Sequence, residues 1–310
     1  MKNQLPNVLT SSTSKIYKSK KLNNANFGNF THNDYQIFLH LVSKIGGVDE
    51  FGKYLQSEQL QKCYVLTAKE FSRVFDTNID NSYRALRKAI DKLMKADIKI
   101  EKPEDGGFYR INICSMAEYN KKSGGITIHF TDHIMPYLAQ VKQKFVLYNL
   151  KEIANFGSLY TTRLYELIQE FKETGWILKS VDQLRNLFAV DKSFKKYNDL
   201  KKRTFAHACQ EINDNYDMGL RFEEIKEGRK VVAVKFFFKK TLVHKVTNRK
   251  TGVEKNFYEK PALNLEGRKN KKIKQINSDV LEGQLAFEDL KNEVQPVQNI
   301  LSKILKKFTS

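Results

Sequence analysis

Apolar residues fall at helical spacing from Thr31 onward. Tyr35, Phe38, Leu39, Val42 and Ile45 share one face, and Gly46-Gly47 closes the run. The stretch Leu66-Thr67-Ala68-Lys69-Glu70-Phe71 opens a short helix over 68–75. Its start reads as a capping box, in which the Thr67 hydroxyl and the Glu70 side chain satisfy free N–H groups. A longer helix over 80–96 follows and buries Tyr83, Leu86, Ile90, Leu93 and Met94 on one face. Alternation then predicts a hairpin from Ile98-Lys99-Ile100 and Phe108–Ile113, joined through Asp105-Gly106-Gly107. A further strand covers Ile126–Phe130. Helix, helix, helix and hairpin in that order make a winged helix.

The same punctuation returns further along the chain. A helix from about Gly157 to Thr174 carries Leu159, Leu164, Leu167, Ile168 and Phe171. A second capping box, Ser180…Gln183, opens a helix over 181–188. A basic helix of about 198–215 packs inward through Phe205, Ala208, Cys209 and Ile212. Strands near 219–225 and 230–239 meet at Lys226-Glu227-Gly228-Arg229, a wing with a basic tip. The pattern therefore predicts an α+β chain of two tandem winged-helix domains, 30–150 and 151–240. Residues 1–29 are expected as a flexible N-terminal arm, and 132–155 as packed structure coupling the units. A basic, largely disordered tail is expected over 241–310. It includes Arg268–Lys274 and a terminal amphipathic run, Val297 to Phe308.

Charge points to the partner. The 310 residues carry 54 Lys and Arg against 35 Asp and Glu, a net charge of +19, with a pI near 9.6. That balance favours a polyanion. No run approaches the ~18 apolar residues of a membrane span, and no hydrophobic signal core opens the chain, so a soluble cytoplasmic protein is expected. Cys63, Cys114 and Cys209 are widely spaced among apolar neighbours and read as packed thiols. They indicate neither a disulfide framework nor a zinc site.

In each unit the helix after the capped one is amphipathic, and its outward face is basic. A helix-turn-helix presents that face to the major groove. In the first unit the face holds Arg84, Lys88, Lys92 and Lys95, with Arg87 at its border and Asp91, which would repel phosphate, among them. In the second it holds Lys196, Arg203, His207 and Gln210, with Lys195 and Lys202 nearby. Arg203 is the candidate for bidentate reading of guanine, and Gln210 for adenine. Lys195, Lys196, Lys201 and Lys202 suit phosphates, which position without specifying. Arg229 and Lys230 at the wing suit phosphates or an adjacent minor groove. The plain alternative, a solvated charged face, loses ground because the whole arrangement occurs twice.

Enzyme signals do not hold. Gly47–Tyr54 has the glycine and lysine spacing of a phosphate-binding loop, but Tyr54 stands where a Ser or Thr would bind magnesium, and the segment follows a helix. His129 and His133 lie in a strand-like stretch with no third ligand. A rolling-circle nicking enzyme needs a His-x-His pair with a downstream Tyr, and that pair is missing from the sequence. No catalytic constellation, metal site or cofactor is indicated.

With Leu164–Leu167 opening the second unit, Lys201-Lys202-Arg203-Thr204-Phe205…Ala208…Glu211-Ile212-Asn213 on its reading helix, Glu227–Val234 in its hairpin and Asn112–Ser115…Tyr119 in the first unit, the chain resembles the iteron-binding plasmid replication initiators. The resemblance covers about residues 30 to 240. It implies a non-enzymatic protein that binds direct repeats of double-stranded DNA at a plasmid origin, promotes origin opening, and recruits the host initiator and helicase machinery. It further implies a homodimer in equilibrium with monomer, with the dimer repressing its own gene. The second unit would be the main reader, and the first would combine DNA contact with dimerisation. Because its basic helix faces would repel one another, the dimer interface is expected either elsewhere or in the apolar strand region around Ile126–Phe130. The competing functions are a transcriptional repressor without initiator activity and a DNA-nicking replication enzyme.

Overall fold

The computed structural model describes residues 15–28, 30–45, 57–101, 106–138, 145–190, 193–241, 243–247 and 254–258. Gly46-Gly47, the loop-like motif 47–54, and the tail segments 268–274 and 297–308 lie outside these residues.

Strand β1 (Lys15–Ser19) and the short helix α1 (Lys20–Asn23) come first, then α2 (His32–Ile45). Next are β2 (Cys63–Thr67), the capped helix α3 (Ala68–Phe75) and the longer α4 (Ile79–Lys95). A hairpin, β3 (Asp97–Glu101) with β4 (Phe108–Asn112), precedes a second one, β5 (Cys114–Asn120) with β6 (Gly125–Phe130). The connector contains α5 (Met135–Leu138), β7 (Phe145–Asn149) and α6 (Leu150–Ile153). The second unit begins with α7 (Leu159–Glu170), β8 (Trp176–Ser180) and the capped helix α8 (Val181–Leu187). Its reading helix runs through α9 (Tyr197–Lys201), a π turn (Lys202–Ala206) and α10 (His207–Asn215). Strands β9 (Arg221–Glu227) and β10 (Lys230–Phe237) form its hairpin, and β11 (Val243–Thr247) pairs with β12 (Glu254–Tyr258).

Both units use one sheet plan. The strand before the capped helix joins the last strand of a hairpin, giving β2-β6-β5 in the first and β8-β10-β9 in the second. The first wing is therefore β5–β6, and the predicted wing, β3–β4, is a separate two-stranded insertion ahead of it. Alternation finds strands but not their partners, and β3–β4 closes on itself without joining the sheet. Gly124, in the β5–β6 turn of the true wing, has φ +62°, and a side chain there would collide with the Tyr83 ring of α4. The hairpin can pack against α4 only with glycine at that position.

Four further expectations change. From Lys15 to Gly28 the supposed flexible arm is packed: β1 pairs with β7, and Ile16, Lys18, Leu22 and Asn23 have no exposed surface. Within the supposed disordered tail, 243–247 and 254–258 pair as antiparallel strands, where β-branched and aromatic residues suit extended backbone. Cys63 is exposed on an outward strand position, whereas Cys114 and Cys209 are buried. Met94 of α4, expected in the core, is 40% exposed.

The chain's most demanding packing problem lies between the units. Glu166 on α7 is fully buried, and its two oxygens meet four donors. Oε1 accepts from the Lys18 ammonium of β1 and the Tyr148 hydroxyl of β7. Oε2 accepts from the Tyr35 hydroxyl of α2 at 2.7 Å and from Arg163 Nη1 at 2.9 Å. Arg163 is itself spread over the N-terminal segment: its Nη2 donates to the carbonyls of Asn23 at 2.7 Å and Ala25 at 2.9 Å. Burial alone would push the Glu166 carboxyl up, but Lys18 and Arg163 hold it below the usual range. Burial pushes Lys18 down to about 7 against the pull of Glu166, and the nearby Arg163 charge pushes the same way.

Glu166→Gln should cost about 3–5 kcal/mol in urea denaturation, since it leaves the buried Arg163 charge unbalanced. An unfolded lysine titrates near 10.4. Between pH 7 and that value the unfolded chain holds a proton on Lys18 that the folded chain lacks, so stability should rise with pH by up to about 1.4 kcal/mol per unit. Lys18→Met should remove that rise; a wild-type profile already flat from pH 7 to 9 would mean Lys18 stays charged.

Candidate nucleic-acid interface

The second unit builds its interface from the cap outward. Ser180 Oγ accepts from the Gln183 amide at 3.1 Å, and Gln183 Oε1 accepts from the Ser180 amide at 3.0 Å, so the predicted capping box is present. Helix α8 then lies against β8 and β10, and the chain turns into the reading helix. Phe205, Ala208 and Ile212 are fully buried there, and Phe205 packs edge-on against Phe222 and Phe236 of the sheet. Those contacts fix which side of the helix faces outward. Lys202, Arg203, His207 and Gln210 are exposed along it, as are Lys195 and Lys196 at its start and Arg229 and Lys230 at the wing.

A groove of about 650 Å³ separates the start of the reading helix from the wing, bringing Lys195 and Lys196 opposite Arg229 and Lys230. Two further cations line it, Arg185 and Lys226, which the sequence reading did not single out. Lys226 stands in the predicted wing turn; Arg185 lies on the capped helix 181–188, where no local pattern marks it. Lys201 departs from expectation. Its ammonium lies 2.8 Å from Glu224 of β9, and the Tyr197 hydroxyl donates to the same carboxylate at 3.0 Å. The hydrogen bond from Lys201 comes first among the effects that hold Glu224 below the usual carboxylate range. Lys201 thus ties helix to wing.

The first unit repeats the design. Thr67 Oγ1 accepts from the Glu70 amide at 3.2 Å, and Glu70 Oε2 accepts from the Thr67 amide at 2.8 Å. Arg84, Arg87, Lys88 and Lys95 are exposed on α4; Lys92 lies 3.6 Å from Asp34 of α2. The true wing adds Lys121 and Lys122, exposed in the β5–β6 turn. The two lysines before Ser123-Gly124-Gly125 were the signal for them. Ile126, Ile128 and Phe130 point into the core and offer no surface for self-association. What the same sheet exposes is Val65 and Met116. Among the described residues, no cluster of three His, Cys, Asp or Glu could hold a metal ion. No helix among them is long and apolar enough to cross a membrane.

Two helix-turn-helix units, each completed by a sheet and a wing, define a tandem winged-helix protein. Residues 15–169 match the family described as "Initiator Replication protein, WH1", and residues 180–238 match "Initiator Rep protein, WH2". The chain belongs to this family of replication initiators. It is 25% identical over 168 residues to a "Replication initiation protein" of Escherichia coli, covering 53% of this chain and 52% of that one. It is 23% identical over 148 residues to an "Uncharacterized 27.6 kDa protein" of the same organism, covering 47% and 62%. The similarity thus spans only about half the length of the first of these curated relatives. The fold resembles that in the "Crystal structure of Pi initiator protein in complex with iteron DNA". The TM-score is 0.59 at 19% identity, covering 74% of this chain and 98% of the other.

The caps are the local interactions on which both units rest. Ser180→Ala and Thr67→Ala should each lower stability by about 1 kcal/mol in urea denaturation, while exchanging Ser for Thr at either site should change little.

Proposed function

We propose that this initiator binds direct repeats in double-stranded DNA at a plasmid origin, with the second winged helix as the main reader and the first as a second head. The observation that carries the reading is the groove where Lys195 and Lys196 face Arg229 and Lys230, beside a reading helix that exposes Arg203, His207 and Gln210. Cations on both sides suit a phosphodiester backbone, while planar donors on the helix suit base edges. The cationic face of α4, with Arg84, Arg87, Lys88 and Lys95, supports contact by the first unit. Binding at repeats would precede opening of the adjacent duplex in the cytoplasm and recruitment of the host's initiator and helicase. A dimeric form repressing the chain's own gene belongs to the same reading. Its interface would use the face that exposes Val65 and Met116, not the buried side of β6. No step of this reading needs chemistry beyond binding.

Two measurements test it. Arg203→Ala should cost about 1–3 kcal/mol of binding to origin repeats and lose preference over random duplex; unchanged preference would remove Arg203 from the base-reading face. Salt titration should separate the lysines. Lys195→Ala and Lys196→Ala should each lower the log–log slope by about 0.9. Lys201→Ala should leave it nearly unchanged, because Glu224 already holds that charge; equal slopes for all three would mean Lys201 exchanges its partner for phosphate.

A further inference from the structure

Three unusual features of the second unit converge on one guanidinium. The first is backbone conformation. Among the described residues only Asp76, Ala189 and Phe194 are non-glycine residues with positive φ, and Phe194, at +50°, lies just ahead of the reading helix. An aromatic residue in the left-handed region is disfavoured by about 1–2 kcal/mol, so the surroundings must impose it. The second feature imposes it. The Arg185 guanidinium of α8 donates to three successive carbonyls, Nη1 to Ser193 at 3.1 Å and Phe194 at 2.9 Å, and Nη2 to Lys195 at 3.2 Å. The third is the π turn at 202–206, a local widening often found at functional positions. Thr204, buried in that turn, donates its hydroxyl to the Leu200 carbonyl at 2.6 Å. Arg203 occupies the turn, and its guanidinium carbon stands 5.6 Å from the centroid of the Phe194 ring.

We infer that Phe194, held by Arg185, is a specificity-determining positioning residue that presents Arg203 to a guanine in the repeat. The inference rests on the proposed reading of duplex DNA by this helix. A guanidinium held over an aromatic ring can keep donors free, and those donors match the O6 and N7 of guanine. An unstacked arginine must be ordered when it binds, whereas one resting on a ring has lost part of that freedom beforehand. Phe194 then acts on one base pair and leaves phosphate contacts to the lysines.

The full-length protein and its variants can be tested by selecting bound sequences from a randomised double-stranded DNA library, beside thermal unfolding of each variant. Arg203→Ala should erase preference for one G·C pair in the selected motif. Phe194→Leu keeps the bulk but not the ring face, and should weaken preference at that same pair by about tenfold, leaving the rest of the motif recognisable. Phe194→Tyr keeps the face and should keep the preference. Phe194→Leu added to Arg203→Ala should change nothing more. If leucine at 194 does not fold, Arg185→Lys asks the same question, because a lysine cannot fork across three carbonyls; the same single pair should weaken. An unchanged motif in Phe194→Leu or Arg185→Lys, or an even loss across the motif, would overturn the positioning role while Arg203 kept its own effect. A motif untouched by Arg203→Ala would overturn the base-reading assignment and the positioning with it.

Discussion

Glu166 places a negative charge where no water reaches, and the surrounding fold is arranged to satisfy it. A carboxylate has about four acceptor directions, and here four donors from β1, α2, β7 and α7 fill them. Such a cluster is weak evidence for stability, because each buried charge loses its hydration. What it supplies is geometry. Tyr35 lies on α2 and Arg163 on α7, and both donate to the same carboxylate oxygen. The placement of β1, α2 and β7 against α7 is thereby tied to a handful of hydrogen bonds.

Around that anchor the two units share a plan and differ in elaboration. Both open their helix-turn-helix at a capping box, and both place cations outward on the helix after the capped one. The first unit inserts β3–β4 between its reading helix and its wing. The second passes directly from helix to wing, and its helix carries the π turn and its approach the strained Phe194. Two of the predicted contact lysines are engaged internally, Lys92 with Asp34 and Lys201 with Glu224. A basic residue on the right face of a wheel is therefore not yet a contact: an acidic neighbour from another element decides whether its charge is available.

The contrast between what was legible and what was not follows the range of the interactions. Thr67…Glu70 and Ser180…Gln183 were readable because a cap is closed within four residues. The inward faces of the reading helices were readable because Leu86, Leu93, Phe205 and Ile212 keep helical spacing. Residues 15–28 were misread as an arm because Lys18 and Asn23 look like solvated residues until Glu166, more than a hundred positions away, is seen to receive the lysine. The wing of the first unit was misplaced because strand pairing is a property of partners, and β3–β4 alternates as well as β5–β6 does. Nothing local marks Arg185 as a side chain that will hold three carbonyls. Its role depends on a left-handed turn that the sequence around Phe194 does not advertise.

The N-terminal strand also bears on how the chain is made. Lys18 and Glu166 are 148 residues apart, so β1 leaves the ribosome long before the carboxylate it will neutralise has been synthesised. At roughly 5–20 residues per second the interval is on the order of ten seconds. Until β7 has been made, the strand that pairs with it in the finished molecule is an open ladder of unpaired amides. The first winged helix can collapse early from its own local contacts, while its most N-terminal segment waits for the second. Closure of the molecule is then a late event of high contact order, and its timing is set by the arrival of α7.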